Sequence, residues 1–117
     1  MPKITLSGNP CSTNTLYRSV CRGKFPAVYM THKGRNLKES YQWEAKSQWK
    51  KEPTSDEIAL NVILYFGDKK VRDIDNYNKI LLDALTGIVW EDDSQISEMH
   101  TFREYDKKNP RIEVLIA

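Results

Sequence analysis

The sequence has few of the features that mark secreted, membrane or metal–thiolate proteins. Its 117 residues include only two cysteines, Cys11 and Cys21, and these lie outside any CxxC pattern. The longest strongly apolar run, Ile58–Phe66, is far shorter than the roughly 20 residues that a membrane-spanning helix needs. No apolar signal core follows Lys3. We therefore expect one cytoplasmic domain over residues 1–117, with reduced thiols and no membrane partner.

Acidic residues are scarce in the first half of the chain. Residues 1–51 contain ten Lys and Arg residues but only Glu39 and Glu44, a net charge of +8, whereas residues 52–117 carry a net charge of −6. Such asymmetry indicates that the first half meets a polyanion. A dipolar but merely solvated surface explains the same charges, so the spacing of the acids in the second half has to decide.

Hydrophobic spacing predicts an α+β fold. Apolar residues recur every four positions along a basic helix at Arg35–Lys51, and Ile58–Phe66 is the expected central strand. A second helix is expected over Asp73–Thr86, with Asp73 or Asp75 as its N-cap. The other strands are expected at Lys3–Leu6, Leu16–Arg22, Lys24–Thr31, Ile96–Tyr105 and Arg111–Ala117. This order predicts a single two-layer domain, in which helices pack on one face of a mixed β-sheet.

Two short segments of the second half concentrate carboxylates. Asp73 and Asp75 stand two residues apart, and Lys79 lies one helical turn beyond Asp75. After the helix, the loop with Asp92 and Asp93 is expected to return to the end of the sheet from which the helix left. Three such acids without histidine or cysteine suit a hard cation, so we expect Mg²⁺, with Mn²⁺ able to substitute.

Each part of this pattern also has an ordinary structural explanation. Asp73 could simply cap a helix, and Asp75 with Lys79 could form a surface ion pair worth roughly 0.2–0.5 kcal/mol. The later aspartates could belong to a solvated loop. Carboxylates brought together would repel one another without a cation, which favours the metal site. Asp83 lies about 12 Å along the helix from Asp75 at 1.5 Å per residue, so we expect it to pair with Lys79 or to face solvent.

The segment 72–96 resembles a known family of nucleases. It contains Arg72-Asp73-Ile74-Asp75-Asn76 and Lys79, then Asp83–Gly87, then Val89–Ile96. In order, spacing and residue type these motifs resemble the RusA family of Holliday-junction resolvases, the crossover junction endodeoxyribonucleases. The resemblance implies a small homodimeric endonuclease of bacteria or their phages. It would use Mg²⁺ to nick two opposing strands of a four-way DNA junction in recombination and repair.

The resemblance also implies roles for individual residues. Asp73, Asp75 and Asp93 would be the catalytic metal ligands, with Asp92 as a further candidate. Lys79 would assist at the cleaved phosphate, with Asp83 behind it. The DNA-binding candidates, taken from the resemblance and from the charge pattern, are Arg72, Lys69, Lys70, Asn14, Arg18, Lys33 and Arg35.

Two other classes of function remain open from the sequence. The chain could be a non-catalytic DNA-binding module whose acids only cap a helix, or another metal-dependent phosphodiesterase such as a ribonuclease. No P-loop, GxGxxG or HExxH motif occurs, and we expect no small-molecule cofactor. We expect a homodimer, because a four-way junction has two-fold symmetry and one chain supplies one set of acids. Such a protein would associate with the nucleoid when it acts.

Overall fold

The strand Ile58–Phe66 (β4) lies inside a four-stranded sheet in the computed structural model, which describes residues 2–117 and, for Arg22, the backbone alone. The other strands of this sheet are Lys3–Ser7 (β1), Ile96–Tyr105 (β5) and Arg111–Ile116 (β6), in the spatial order β1-β6-β4-β5. β4 pairs parallel with β5, whereas the other two pairs are antiparallel. The predicted mixed sheet is confirmed.

A hairpin and three helices complete the described chain. Tyr17–Arg22 (β2) pairs antiparallel with Phe25–Met30 (β3). The helices are Thr13–Leu16 (α1), His32–Gln48 (α2) and Asn78–Leu85 (α3), with 3-10 turns at Ile74–Tyr77 and Asp93–Gln95. All six predicted strands are present to within one residue at each end. α2 begins three residues earlier than predicted, because the Thr31 side chain caps its first turn, and it also ends three residues earlier, at Gln48.

The buried side chains of the sheet share one face, and α2 and α3 cover it. β4 alternates between buried and half-buried residues over its whole length. From the apolar stripe predicted on α2, Tyr41, Ala45 and Trp49 are buried and Leu37 packs against the core. The predicted two-layer α+β architecture is therefore confirmed. Among the described residues, no helix has the length and apolar character needed to cross a membrane.

The helix predicted over Asp73–Thr86 is interrupted near its start. A 3-10 turn comes first, and α3 begins only after it. In a continuous helix the Asn76 carbonyl would accept from the amide of Ile80. Here the Thr13 hydroxyl donates to that carbonyl at 2.7 Å. Asp73 stands at the N-cap position of the 3-10 turn, as predicted, but it makes no side-chain capping bond, and the residue before α3 is Tyr77.

The two edges of the sheet differ in how their backbone groups are satisfied. On β1, the Gln48 side chain bonds both the amide and the carbonyl of Thr5, at 2.7 and 2.8 Å, and Glu44 accepts from the Ser7 amide at 3.0 Å. On the outer edge of β5, which is ten residues long, no described side chain bonds the backbone. A long edge strand with free amides and carbonyls is a template for pairing with another chain.

Close packing at Gly34 and hydrogen bonds of Thr31 hold the base of the hairpin against α2. The Thr31 hydroxyl accepts from the Gly34 amide at 3.1 Å, while the Thr31 amide donates to the Leu16 carbonyl at 2.8 Å. A Cβ atom at Gly34 would overlap the Leu16 carbonyl oxygen and lie 2.7 Å from Met30 Cγ. The absence of a side chain therefore lets α2 approach the base of the hairpin this closely.

We expect Gly34→Ala to lower the free energy of unfolding by about 1–3 kcal/mol, as overpacking does elsewhere. The gain in helix propensity, about 1 kcal/mol, does not offset overlap with a backbone carbonyl. Urea denaturation followed by circular dichroism measures the change. Ser40→Ala, at an exposed position of the same helix, is the control and should stay within about 0.5 kcal/mol of the parent. A Gly34→Ala protein as stable as the parent would contradict the close approach.

Candidate active site

Two exposed carboxylates, Asp73 and Asp75, lie in the segment that follows β4, residues 73–77, here called the acidic turn. Neither carboxylate forms an ion pair or a side-chain hydrogen bond with another described residue. Carboxylate oxygens are the ligands that hard divalent cations prefer. The pair therefore fits part of the ligand set of such a cation.

Arg72 holds the start of the acidic turn in place. Its guanidinium lies 2.6 Å from the Asp68 carboxylate and 4.4 Å from the centre of the Phe66 ring, and its carbonyl accepts from Arg103 at 3.3 Å. The Lys70 amide and then the Arg72 guanidinium lower the pKa of the Asp68 carboxyl below its usual value. The guanidinium of Arg72, a DNA-binding candidate, is thus already paired with Asp68, and the Arg72 carbonyl is bonded by Arg103.

Asp92 and Asp93 lie at the turn before β5. The Ser94 hydroxyl donates to Asp92 Oδ2 at 2.6 Å, and the Asp92 amide donates to the Gln95 side chain at 2.7 Å. Gln95 in turn donates to the Thr54 carbonyl at 2.8 Å. The Asp92 carboxylate is therefore used to build the turn, whereas the exposed Asp93 carboxylate bonds no described residue.

Within one chain, the two groups of acids lie at opposite ends of the sheet. Because β4 and β5 run parallel, Asp73 follows the end of one strand and Asp93 precedes the start of its neighbour. Asn78, directly after the acidic turn, bonds Thr101 at 3.1 Å. Asp93 comes just before Ile96, and Ile96 lies about 17 Å along β5 from Thr101 at about 3.3 Å per residue. No three Asp, Glu, His or Cys side chains in the described chain are grouped to hold a metal. The expectation that the loop returns to the same end is wrong for a single chain.

Lys79 pairs with Asp83 rather than with Asp75. Lys79 Nζ lies 4.0 Å from Asp83 Oδ2 and 4.8 Å from the centre of the Tyr17 ring, and the Tyr17 hydroxyl donates to the same Asp83 carboxylate. Burial, and after it the hydrogen bond to Asp83, raises the pKa of Tyr17 well above its usual value. The expected pairing of Lys79 with Asp83 is present, and Tyr17 is a third member that holds the lysine.

The exposed DNA-binding candidates, which are basic except for Asn14, lie on elements next to the acidic turn. α1 contacts this turn through the bond from Thr13 to Asn76, and the base of the hairpin and the start of α2 adjoin α1 through Thr31. The candidates on these elements and on the loop after β4 are Asn14, Arg18, Lys33, Arg35, Lys69 and Lys70. All six side chains are exposed, so this surface can reach a large anion.

The opposite end of the sheet is acidic. Its exposed carboxylates are Glu52, Asp56, Glu57, Glu91, Asp92 and Asp93, and Lys50 and Lys51 are the nearby cations by sequence. The two ends therefore carry charges of opposite character.

Comparison with known proteins agrees with the motifs. Residues 7–117 match the family described as Endodeoxyribonuclease RusA. The chain belongs to this family. It is also similar to the crossover junction endodeoxyribonuclease RusA of Aquifex aeolicus (strain VF5), with 33% identity over 67 residues, which are 56% of this chain and 52% of the relative. The match thus spans about half the length of that relative. The family predicted from residues 72–96 is confirmed.

The sequence did not indicate three residues that lie near the acidic turn of this RusA-family chain. Tyr17 contacts Lys79, Arg103 bonds the carbonyl of Arg72, and Tyr105 lies under Lys69, with 5.0 Å from Lys69 Nζ to the ring centre. Arg103 and Tyr105 share one face of β5, so the two-residue period of that strand could have paired them. No pattern in the sequence indicates that Tyr17 meets α3.

Removal of the Asp83 charge should lower the pKa of Tyr17. In Asp83→Asn the hydrogen bond to an anion and the repulsion between two negative charges are both lost, whereas burial, the larger cause, remains. The pKa should therefore fall but stay above the usual value for tyrosine. NMR titration of the Tyr17 ring measures it, with Tyr29, exposed on the hairpin, as the internal control. An unchanged Tyr17 pKa would mean that the two side chains do not meet in solution.

Proposed function

We propose that this protein is a Mg²⁺-dependent endodeoxyribonuclease that resolves four-way DNA junctions by paired symmetric nicks. The observation that carries the proposal is the exposed pair Asp73 and Asp75, which forms no ion pair with a described residue and borders a basic surface in a RusA-family chain. Carboxylates alone would repel a phosphate backbone. Neighbouring basic side chains are therefore needed to draw DNA toward the carboxylates, and a metal ion is needed to bridge the carboxylates and a phosphate.

The proposed metal ligands are Asp73 and Asp75 of one subunit and Asp93 of the partner subunit. Their oxygens suit Mg²⁺, and Mn²⁺ should substitute because it accepts the same ligands. When bound, such a cation neutralises phosphate oxygens, lowers the pKa of a water molecule and stabilises the leaving oxygen. Asp92 stays a weaker candidate, because its carboxylate already accepts from Ser94.

The free edge of β5 supports a homodimer that completes this site. If two copies of β5 pair antiparallel about a two-fold axis, the start of each strand lies beside the end of the other. A pairing centred anywhere between residues 97 and 100 sets position 93 opposite positions 101–107 of the partner. That is the end of β5 where Asn78 bonds Thr101 and where Arg103 bonds the carbonyl of Arg72, the residue before the acidic turn. The opposite charges of the two sheet ends favour the same arrangement.

Lys79 is proposed to contact the phosphate that is cleaved. Its side chain is 51% exposed, so its ammonium can reach DNA while Asp83 and the Tyr17 ring restrict its position. Restriction of this kind lowers the entropy that is lost when the lysine meets its target. Arg72 lies behind the acidic turn and is proposed to act on DNA mainly through the position that it gives to Asp73.

The remaining DNA contacts are proposed for the exposed basic surface. Lys69 and Lys70, which precede the acidic turn, would contact DNA near the branch point. The arms of the junction would be contacted by Asn14, Arg18, Lys33 and Arg35. On this proposal the protein acts in the cytoplasm at the nucleoid, in recombination and repair, and needs no small-molecule cofactor.

A mixture of two inactive variants should regain activity if the site is shared between subunits. Asp75→Asn and Asp93→Asn homodimers should each lose cleavage by several orders of magnitude, because metal activation of water is lost. A heterodimer of the two has one site with all its carboxylates and one without either residue. Co-expression in equal amounts should therefore restore about a quarter of the parental sites, which appear as single nicks in a labelled junction.

Asp73→Asn with Asp75→Asn is the matched control for this experiment. Both changes affect the same end of the sheet, so no heterodimer has an intact site and the mixture should stay inactive. If the mixture of Asp75→Asn and Asp93→Asn also stays inactive, the shared site is wrong. If Asp75→Asn alone cleaves at the parental rate, the carboxylates are not catalytic. Products from structured RNA but not from the junction would support a ribonuclease instead.

Loss of two basic residues of α2 should make junction binding less dependent on salt. Binding driven by counterion release changes with a log–log slope of about 0.9 per phosphate contact, so Lys33→Ala with Arg35→Ala should lower the slope by about two units. Gel-shift affinities over a range of salt concentrations, without metal, give the slope. Lys3→Ala, on β1 and paired with Glu113, should leave it unchanged. An unchanged slope in the double variant would place α2 away from DNA.

A further inference from the structure

A cleft of about 420 Å³ opens beside the acidic turn. It lies between the loop that follows β4 and the last residues of β5, and it is lined by Phe66, Asp68, Lys69, Lys70, Val71, Arg72, Arg103, Glu104 and Tyr105. Four of these side chains are cationic and two are anionic. The lining therefore combines a net positive charge with two aromatic rings, which is the chemistry of a nucleotide site.

Tyr105 offers the accessible aromatic face of this cleft. Its side chain is 45% exposed, whereas Phe66 is buried beneath the Arg72 guanidinium. Lys69 Nζ lies 5.0 Å from the centre of the Tyr105 ring, a cation–π contact on the protein surface. Such a contact is weak at an exposed site, so a base can take the place of the ammonium while the ammonium moves to a phosphate.

The walls of the cleft are held by bonds that do not involve the Tyr105 ring. Arg72 bonds Asp68 on one side, and Arg103 bonds the Arg72 carbonyl on the other. Arg103 and Tyr105 project from the face of the sheet that the helices cover, next to Leu64 and Phe66 in the register of β4. Pairing of β5 through its backbone edge would not itself cover the Arg103 and Tyr105 side chains, because side chains project out of the plane of the sheet.

We infer that this cleft binds one unpaired nucleobase from the branch point of the junction, stacked on Tyr105. The inference rests on the proposed function and adds a binding subsite to it. A base at a branch point has lost an ordinary stacking neighbour, so its removal from the helix costs less than removal of a base within a continuous duplex. The cations at the rim, Lys69 and Lys70, would hold the phosphates on either side, next to the acidic turn.

The test compares junction affinity for the metal-free dimer with two DNA substrates. One is an intact four-way junction, and the other has an abasic residue at each branch-point position. Tyr105→Ala should weaken binding to the intact junction by about 5- to 150-fold, the range for loss of one stacked base, and should leave binding to the abasic junction unchanged. Tyr105→Leu, which keeps apolar bulk without a π face, should behave like Tyr105→Ala. Tyr105→Phe should bind like the parent.

Trp43→Ala is the matched control, because Trp43 is a 75% exposed aromatic residue on another element. Any effect of that change should be equal for the two junctions. Equal weakening of both junctions by Tyr105→Ala, or no weakening, overturns the subsite while the nuclease proposal stands. If the parent binds the intact junction no better than a linear duplex, the proposed junction specificity fails and the subsite fails with it.

Discussion

The parallel pairing of β4 with β5 is the constraint on which the rest of the structure depends. Parallel neighbours need a crossover, and here the crossover consists of the acidic turn, α3 and the loop to Asp93. The acids before α3 and after it must therefore lie at opposite ends of the sheet. β5 lies at the outside of the sheet, and no described residue bonds its outer backbone edge.

Separation of the acids has an electrostatic consequence for the free chain. Three carboxylates held together without a cation would repel one another, whereas Asp73 and Asp75 here are exposed to solvent and Asp93 is far away. In the proposed dimer the third carboxylate arrives with the partner, so metal binding and subunit pairing would stabilise each other. The satisfied edge of β1, where Gln48 and Glu44 bond the backbone, leaves β5 as the edge available for that pairing.

The contacts around α3 connect the hairpin with the candidate catalytic lysine. Tyr17 begins β2, yet its ring and hydroxyl meet Lys79 and Asp83. Gly34 and Thr31 hold the base of the same hairpin against α2. Residues far apart in the sequence thus restrict the position of Lys79.

The sequence by itself determined the strands, the order of elements and the family. Hydrophobic alternation in β4 and the four-residue spacing on α2 depend on local periodicity, and the motif at residues 72–96 depends on residue order alone. Only the tertiary structure decided where the acids lie. Thr13, distant in sequence, bonds the Asn76 carbonyl at the point where the helix is interrupted, and the distance from Asp73 to Asp93 depends on the direction of β5 relative to β4. The predicted order of strand, helix and strand permits parallel pairing, but long-range packing decides which strand β5 lies beside and therefore where Asp93, just before it, lies.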